Sequence, residues 1–221
     1  MTWVIAHRGA SFAETENTLP AFERAIADGA DFVEFDVQMS VDGEPVVFHD
    51  ADLDRLTPLA GPLRRRRAAE LREVGVPTLD DVIDLVRGRI GVMAELKNAH
   101  LYRALPFVER VVTKLSSDHV VISFQQRALL EARRLAPELR LVQHVGSRVS
   151  IRAAGRYAWG VGFWDDAVTP RGLSRAHALG LVTTVFTVNE TARMQELAAL
   201  GVDGLFTDRP DRLRAVLRRP D

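Results

Sequence analysis

The chain of 221 residues is long enough for one large hydrophobic core, and 47 % hydrophobic against 27 % charged residues is the balance of a folded globular domain. A formal net charge of −1 leaves no basic footprint for nucleic acid, and the lack of cysteine excludes disulfides and thiolate metal ligands. No run reaches the ~18 apolar residues of a membrane span, and "MTWVIAHRGAS" lacks the basic start of a signal peptide, so the expected location is cytoplasmic.

Short apolar runs alternate with amphipathic stretches. "WVIAH" (3–7) predicts a first strand, "TLPAFERAIADG" a helix opened by Thr and closed by Gly, and "DFVEFDV" (31–37) a second strand. "PVVFH" (45–49) reads as an extra strand, joined to the second by a turn at Asp42-Gly43. It falls outside the alternation, so residues from about 38 to 77 are expected to form an excursion above one rim, with "RRRR" (64–67) a solvated helix face. The helix pattern "TLDDVIDLVRG" follows, then strand "IGVMAEL" (90–96), helix "LYRALPFVERVVTKL", strand "VVISF" (120–124) and helix "QRALLEARRLA". Strands "LRLVQH" (139–144) and "WGVGFW" (159–164), helix "TPRGLSRAHALG", strand "LVTTVFTV" (181–188), helix "TARMQELAALG" and strand "DGLFT" (203–207) complete the series. This alternation implies a parallel sheet in one α/β domain spanning residues 1–221. The expected architecture is a single (β/α)8 TIM-type barrel with a short insertion after strand 2. An open doubly wound sheet is the other architecture to consider, but no G-x-G-x-x-G opens the first helix.

Barrel chemistry gathers at the C-terminal ends of the strands. There the sequence places His7 and Arg8, Glu34 and Asp36, Glu95 and Lys97, and Asn189, while the excursion brings His49 to the same end. Glu34 and Asp36 leave one face of their strand, as do Glu95 and Lys97 of theirs; Val33, Phe35 and Val37 leave the other toward the helices. Carboxylates buried together repel, so a cation must lie close. Glu34, Asp36 and Glu95 suit a hard divalent ion, Mg²⁺ or Ca²⁺; a salt-bridge cluster with Arg8 and Lys97 is the alternative. Zinc is a poorer match, with two histidines nearby and no cysteine. His7 and His49 are then placed for acid–base work on a phosphoryl group, Arg8 for bidentate contact with its oxygens, and Lys97 as a point charge. His100, His119, His144 and His177 join no such cluster by pattern and read as incidental.

The ordered set "AHRGA", "ENTLPAF", "GADFVEFDVQMSVDGEPVVFHD", "LDRLT", "ELK" (95–97), "SF" (123–124), "TVN" (187–189) and "GVDGLFTDRP" (201–210) resembles the glycerophosphodiester phosphodiesterase family. The resemblance runs from residue 5 to about 210, densest in the first 57 residues and loosest between 98 and 180. It implies a metal-dependent barrel enzyme, using Mg²⁺ or Ca²⁺, that hydrolyses glycerophosphodiesters to sn-glycerol 3-phosphate and an alcohol. The mechanism it implies has a free glycerol hydroxyl attack the phosphorus and water then open a cyclic phosphate. By position, His7 and His49 match the acid/base pair, Glu34, Asp36 and Glu95 the metal ligands, and Arg8 and Lys97 the phosphate-holding residues.

Phe186 is expected on the pocket wall, and Trp164 either there or in plain packing at the rim. Phe186 stands where many members carry tryptophan, keeping the aromatic face without the indole N–H, and Gln125 where relatives often have Asp or Asn. Glu16 and Asn17 either reach the metal site or lie in a stretch that caps the first helix, and Asn189 is a further rim candidate. The implied partner is a small-molecule glycerophosphodiester, with no nucleic acid and no stable membrane insertion. A lysophospholipase D would want an exposed apolar surface beside the site, and no apolar excursion stands out. A non-catalytic barrel has no need of both histidines and three carboxylates. A sugar-phosphate isomerase or lyase would bind phosphate through glycine-rich loops, which "TDRP" does not supply.

Overall fold

A computed structural model of the chain describes residues 2–146 and 149–218. Its strands are β1 (Trp3–His7), β2 (Phe32–Met39), β3 (Pro45–Val47), β4 (Gly91–Leu96), β5 (Val120–Ser123), β6 (Arg140–His144), β7 (Gly160–Trp164), β8 (Val182–Phe186) and β9 (Gly204–Thr207). β1 pairs in parallel with both β2 and β9, so all strands except β3 close into a ring. The expected (β/α)8 barrel is therefore present, and the register from Trp3 opposite Gly204 to Ala6 opposite Thr207 excludes an open sheet. β3 lies outside the ring, antiparallel to β2, with Val37 opposite Val47 and Met39 opposite Pro45. Gly43, at the turn between them, donates its N–H to Ser40 O at 3.1 Å.

The helices are α1 (Leu19–Ala27), α2 (Ala68–Glu73), α3 (Leu79–Val86), α4 (Phe107–Val112), α5 (Gln126–Leu135), α6 (Ile151–Ala154), α7 (Pro170–His177), α8 (Thr191–Ala199) and α9 (Pro210–Leu217). Thr18, Thr78 and Thr169 cap α1, α3 and α7 by accepting from the N–H groups of Ala21, Asp81 and Gly172. The stretch 101–115 is not one helix: a 3₁₀ turn ends at Tyr102, and Pro106, which cannot continue a preceding helix, sets the start of α4. The arginine run is not a helix face either. Arg64 and Arg65 end a 3₁₀ turn, Arg66 is extended, and α2 begins only at Ala68. Arg66 is held that way because its carbonyl accepts from Val41 N–H at 2.8 Å and its guanidinium donates to Ala60 O at 3.0 Å. α6, with four residues, is too short for a 3.6-residue period to stand out in its sequence.

Alternation along the strands divides the core in two. Ile5, Met93, Val120, Ile122, Val142 and Phe206 fill the barrel interior, while Val33, Phe35 and Val37 pack outward with helix residues such as Phe22 and Val82. Trp3 and Trp159, stacked at 6.0 Å, close the N-terminal mouth together with Phe32. The rim excursion has its own satellite core of Val46, Phe48, Leu53, Leu63, Ala68, Leu71 and Val76. Each large side chain buried there contributes about 1.5–3 kcal/mol, which fixes the segment that carries His49.

Candidate active site

Inward side chains recur at every second residue, and each row, followed to the C-terminal end of its strand, arrives at the site. Ile5 leads to His7, Phe32 to Glu34 and Asp36, Met93 to Glu95 and Lys97, Val142 to His144, Gly162 to Trp164 and Thr184 to Phe186. β1 stops at His7 because Arg8 and Gly9 turn to positive φ, 57° and 82°. A Cβ on Gly9 would lie 2.7 Å from the Ala21 carbonyl carbon, so only glycine fits there. Arg8 holds its left-handed conformation at a cost of roughly 1 kcal/mol. Its contacts offset that cost. Its N–H donates to Glu34 Oε2 at 3.1 Å and its Nη1 to Glu16 Oε1 at 2.9 Å. Its Nε lies 3.3 Å from Asp36 Oδ2, an ion pair without hydrogen-bond alignment.

Glu34, Asp36 and Glu95 are buried, and each offers an oxygen within 4.8 Å of the others. Burial raises the pKa of Glu34 and of Glu95, and the charge of Asp36 raises both further; Glu95 is pushed up to about 7 although Lys97 lies 3.3 Å away. Burial also acts to raise Asp36, but Lys97 at 3.1 Å, Arg8 and the Asn17 amide at 2.9 Å pull it well below the usual carboxylate range. Arg8 and Lys97 therefore satisfy Asp36 and leave Glu34 and Glu95 under-compensated. An all-oxygen, buried donor set with that surplus of negative charge fits a hard divalent cation.

Each histidine is held by its own carboxylate. His7 Nδ1 lies 2.7 Å from Asp208 Oδ1, and Asp208 also accepts from Ser11 Oγ at 3.0 Å and Asn189 Nδ2 at 2.6 Å. Burial would raise Asp208, but its bond and charge contact with His7, with Asn189 and Ser11, hold it down at about 2. His49 Nδ1 lies 2.6 Å from Asp50 Oδ1, whose other oxygen accepts from Arg55 Nε at 2.6 Å. Arg55 clasps Glu16 at 2.7 and 3.1 Å, which closes the network back to Arg8. With Nδ1 engaged, Nε2 is the nitrogen each ring has left for a ligand. Burial lowers the proton affinity of His49, and Lys97 and Arg8 add to this against the pull of Asp36 and Asp50.

The cavity these groups share has a volume of about 110 Å³, with His7, Arg8, Glu34, His49, Glu95 and Lys97 on its polar side and Phe124, His144, Trp164, Phe186, Thr187 and Phe206 on its aromatic side. An open cleft of about 470 Å³ adjoins it, shares His49 and Lys97, and is lined otherwise by Asp50, Ala51, Asp52, Asp54, Arg55 and Asn98. A larger depression of about 620 Å³, around Arg87, Lys114 and His119, includes none of the carboxylate trio and neither of the paired histidines.

The stretch that holds Glu16 and Asn17 does cap α1, through Thr18. Asn17 bonds Asp36 in both directions, at 2.9 and 3.3 Å, and Glu16 bridges Arg8 and Arg55. The Asn189 side chain is committed to Asp208 and Thr207, behind His7. Trp164 stands at the cavity mouth, half exposed. His144 is not incidental, because it lines the cavity; its position two residues past inward-facing Val142 was the readable signal. Asp208, two residues past inward-facing Phe206, was open to the same reading. Asp50 and Arg55 were not, because the excursion follows no strand or helix period there. His177 pairs with Asp203 and His119 with Ser116, away from the site.

Among the described residues no helix is long and apolar enough to cross a membrane. Residues 7–212 match the model of the glycerophosphoryl diester phosphodiesterase family. The chain is 32 % identical to a glycerophosphodiester phosphodiesterase of Bacillus altitudinis over 96 % of each chain. Its fold is similar to that of an Oleispira antarctica phosphodiesterase in complex with the product sn-glycerol-3-phosphate, with a TM-score of 0.91 and 27 % identity over 99 % of this chain and 98 % of that one. It is also similar to a glycerophosphodiester phosphodiesterase from Agrobacterium tumefaciens, with a TM-score of 0.81 and 30 % identity over 97 % and 100 % of the two chains. On its sequence and its barrel alike, the chain belongs to the glycerophosphoryl diester phosphodiesterase family.

Proposed function

We propose that this chain hydrolyses glycerophosphodiesters to sn-glycerol 3-phosphate and an alcohol, with His7 as general base, His49 as general acid, and the phosphate held by Arg8 and Lys97. The observation that carries the reading is a pair of histidines, each tied through Nδ1 to its own aspartate at 2.7 and 2.6 Å, facing one cavity with three buried carboxylates. Glu34, Asp36 and Glu95 would hold Mg²⁺ or Ca²⁺, which when bound withdraws charge from the phosphate and acidifies a coordinated hydroxyl.

The glycerol half faces the aromatic wall, with a free hydroxyl toward His7. His7 accepts that hydroxyl's proton as its oxygen bonds to phosphorus, while Asp208 fixes the ring tautomer and stabilises the imidazolium. The phosphorus–oxygen bond to the alcohol breaks, and His49 protonates the departing oxygen. His49 stands on the wall shared with the open cleft, which receives the alcohol. Water then opens the cyclic phosphate by the reverse traffic: His49 takes the water's proton and His7 returns its own to the glycerol oxygen. Arg8 and Lys97 stabilise the charge that develops on phosphorus. Burial lowers His49 first, and the phosphodiester anion offsets the further lowering by Lys97 and Arg8, which favours the protonated ring in the complex.

A water-soluble diester suits the site better than a lysolipid. The excursion turns its apolar side chains into its own core, and the exposed aromatic residues lining the cavity are Phe124 and Trp164. The test is release of glycerol 3-phosphate from glycerophosphocholine and glycerophosphoethanolamine with Mg²⁺, with Ca²⁺, and after EDTA. Silence under both cations rejects the reaction. The roles are tested with a p-nitrophenyl leaving group, which needs no proton: it should rescue His49→Ala and not His7→Ala. Equal impairment of both variants on both substrates rejects the assignment.

A further inference from the structure

Apart from Arg8 Nε, the two ring nitrogens of His144 are the only buried side-chain polar atoms without a hydrogen-bond partner among the described residues. The residue is 5 % exposed and its surroundings are aromatic. The imidazole stacks on Phe186, centroids 4.2 Å apart and planes 19° apart, and stands edge-on to Phe124 at 4.7 Å and Phe206 at 5.8 Å. Gly162, opposite it on β7, makes room for the ring, since a Cβ there would lie 2.5 Å from His144 Cδ2. An apolar side chain would fill this box with no polar atom to desolvate, whereas the imidazole buries a donor and an acceptor that the protein leaves unpaired. The partner must then come from the cavity that His144 lines.

A neutral imidazole offers one N–H and one bare nitrogen, and a hydroxyl can answer either. Phosphate oxygens only accept, and Arg8 and Lys97 already await them on the polar side. We infer that His144 is a specificity-determining residue that hydrogen-bonds a hydroxyl of the substrate's glycerol half, an inference that rests on the reaction proposed above. Phe124, at the rim and 36 % exposed, stands edge-on to the imidazole between it and solvent-facing Trp164, 5.5 Å from the Trp164 ring.

The experiment compares binding of sn-glycerol 3-phosphate and propyl phosphate, which share phosphate and carbon chain and differ in hydroxyls, by calorimetry with Mg²⁺ present. Wild type is expected to prefer glycerol 3-phosphate, and His144→Phe to reduce that preference about tenfold by weakening glycerol 3-phosphate alone. An unchanged ratio in the folded variant, or an equal loss for both ligands, overturns the inference. In the wild-type protein, the His144 imidazole ¹⁵N resonances should move with glycerol 3-phosphate and stay with propyl phosphate; an equal response overturns it without any variant. The proposed reaction fails separately, if the hydroxyl preference is found and yet no glycerol 3-phosphate is released from glycerophosphocholine.

Discussion

Replacing His144 with phenylalanine is expected to make the fold less sensitive to acid. Burial first, then the charges of Lys97 and His7, hold the imidazole down at about 3, against 6.5 for an ordinary histidine. Between those two values the unfolded chain binds a proton that the folded protein refuses, so stability falls as pH falls. At pH 7 the difference is nearly nil. At pH 5 the unfolded state is favoured by about 1.5 pH units of proton binding, or about 2 kcal/mol at ~1.36 kcal/mol per unit. Below pH 3 the penalty levels off near ~5 kcal/mol. The phenylalanine variant has no such group. Urea unfolding of both proteins at pH 7, 6 and 5 should find the variant no less stable at pH 7 and its relative advantage grown by about 2 kcal/mol at pH 5. Parallel stability curves across that interval would refute the reasoning, since they would mean that the imidazole accepts its proton in the folded state.

Asp208→Asn should lower kcat about 10²–10⁴-fold with little change in KM, because the amide cannot hold His7 in its basic tautomer; a change confined to KM would place Asp208 outside proton transfer. The folded Asp208 pKa of about 2 lies below its ordinary 3.8, so its stabilising contribution is present above pH 4 and vanishes as pH falls through 2. The variant should therefore lose about 2 kcal/mol at pH 7, a gap that acid closes in urea titrations. A cation bound by the carboxylate trio must displace the proton that Glu95 holds up to about 7. Calorimetry should find Mg²⁺ or Ca²⁺ bound about tenfold more weakly at pH 6 than at pH 8, and equal affinities would exclude Glu95 as a ligand. Gly162→Ala puts a methyl 2.5 Å from His144 Cδ2 and should cost about 1–3 kcal/mol in thermal unfolding; an unchanged melting temperature would show that the ring has room to move.

The barrel was legible because its signals are local. Two-residue alternation marked Glu34 with Asp36 and Glu95 with Lys97 as inward pairs, and Thr with Gly bracketed α1, α3 and α7. What the rule could not reach is which residue pairs with each reactive group. Asp208 meets His7 across 201 residues, and only closure of the ring brings them together. Asp50, Arg55 and Glu16 are linked through an excursion whose path follows no period. His144 obeyed the alternation, two residues past inward-facing Val142, but without a charged companion on its row that signal was easily passed over. The arginine run misled for the opposite reason: its composition suits a helix face, and the backbone contact from Val41 to Arg66 overrides that preference.

β1 is the first strand to be made and β9 the last, and they lie side by side. A nascent chain that has not yet delivered β9 already holds both histidines, Arg8, Lys97 and the three carboxylates, yet His7 has no aspartate to aim it. On the proposed roles, full turnover awaits the final docking event, and it would report completion of the fold more faithfully than helix content does. In refolding experiments the recovery of hydrolysis should lag behind the recovery of secondary structure.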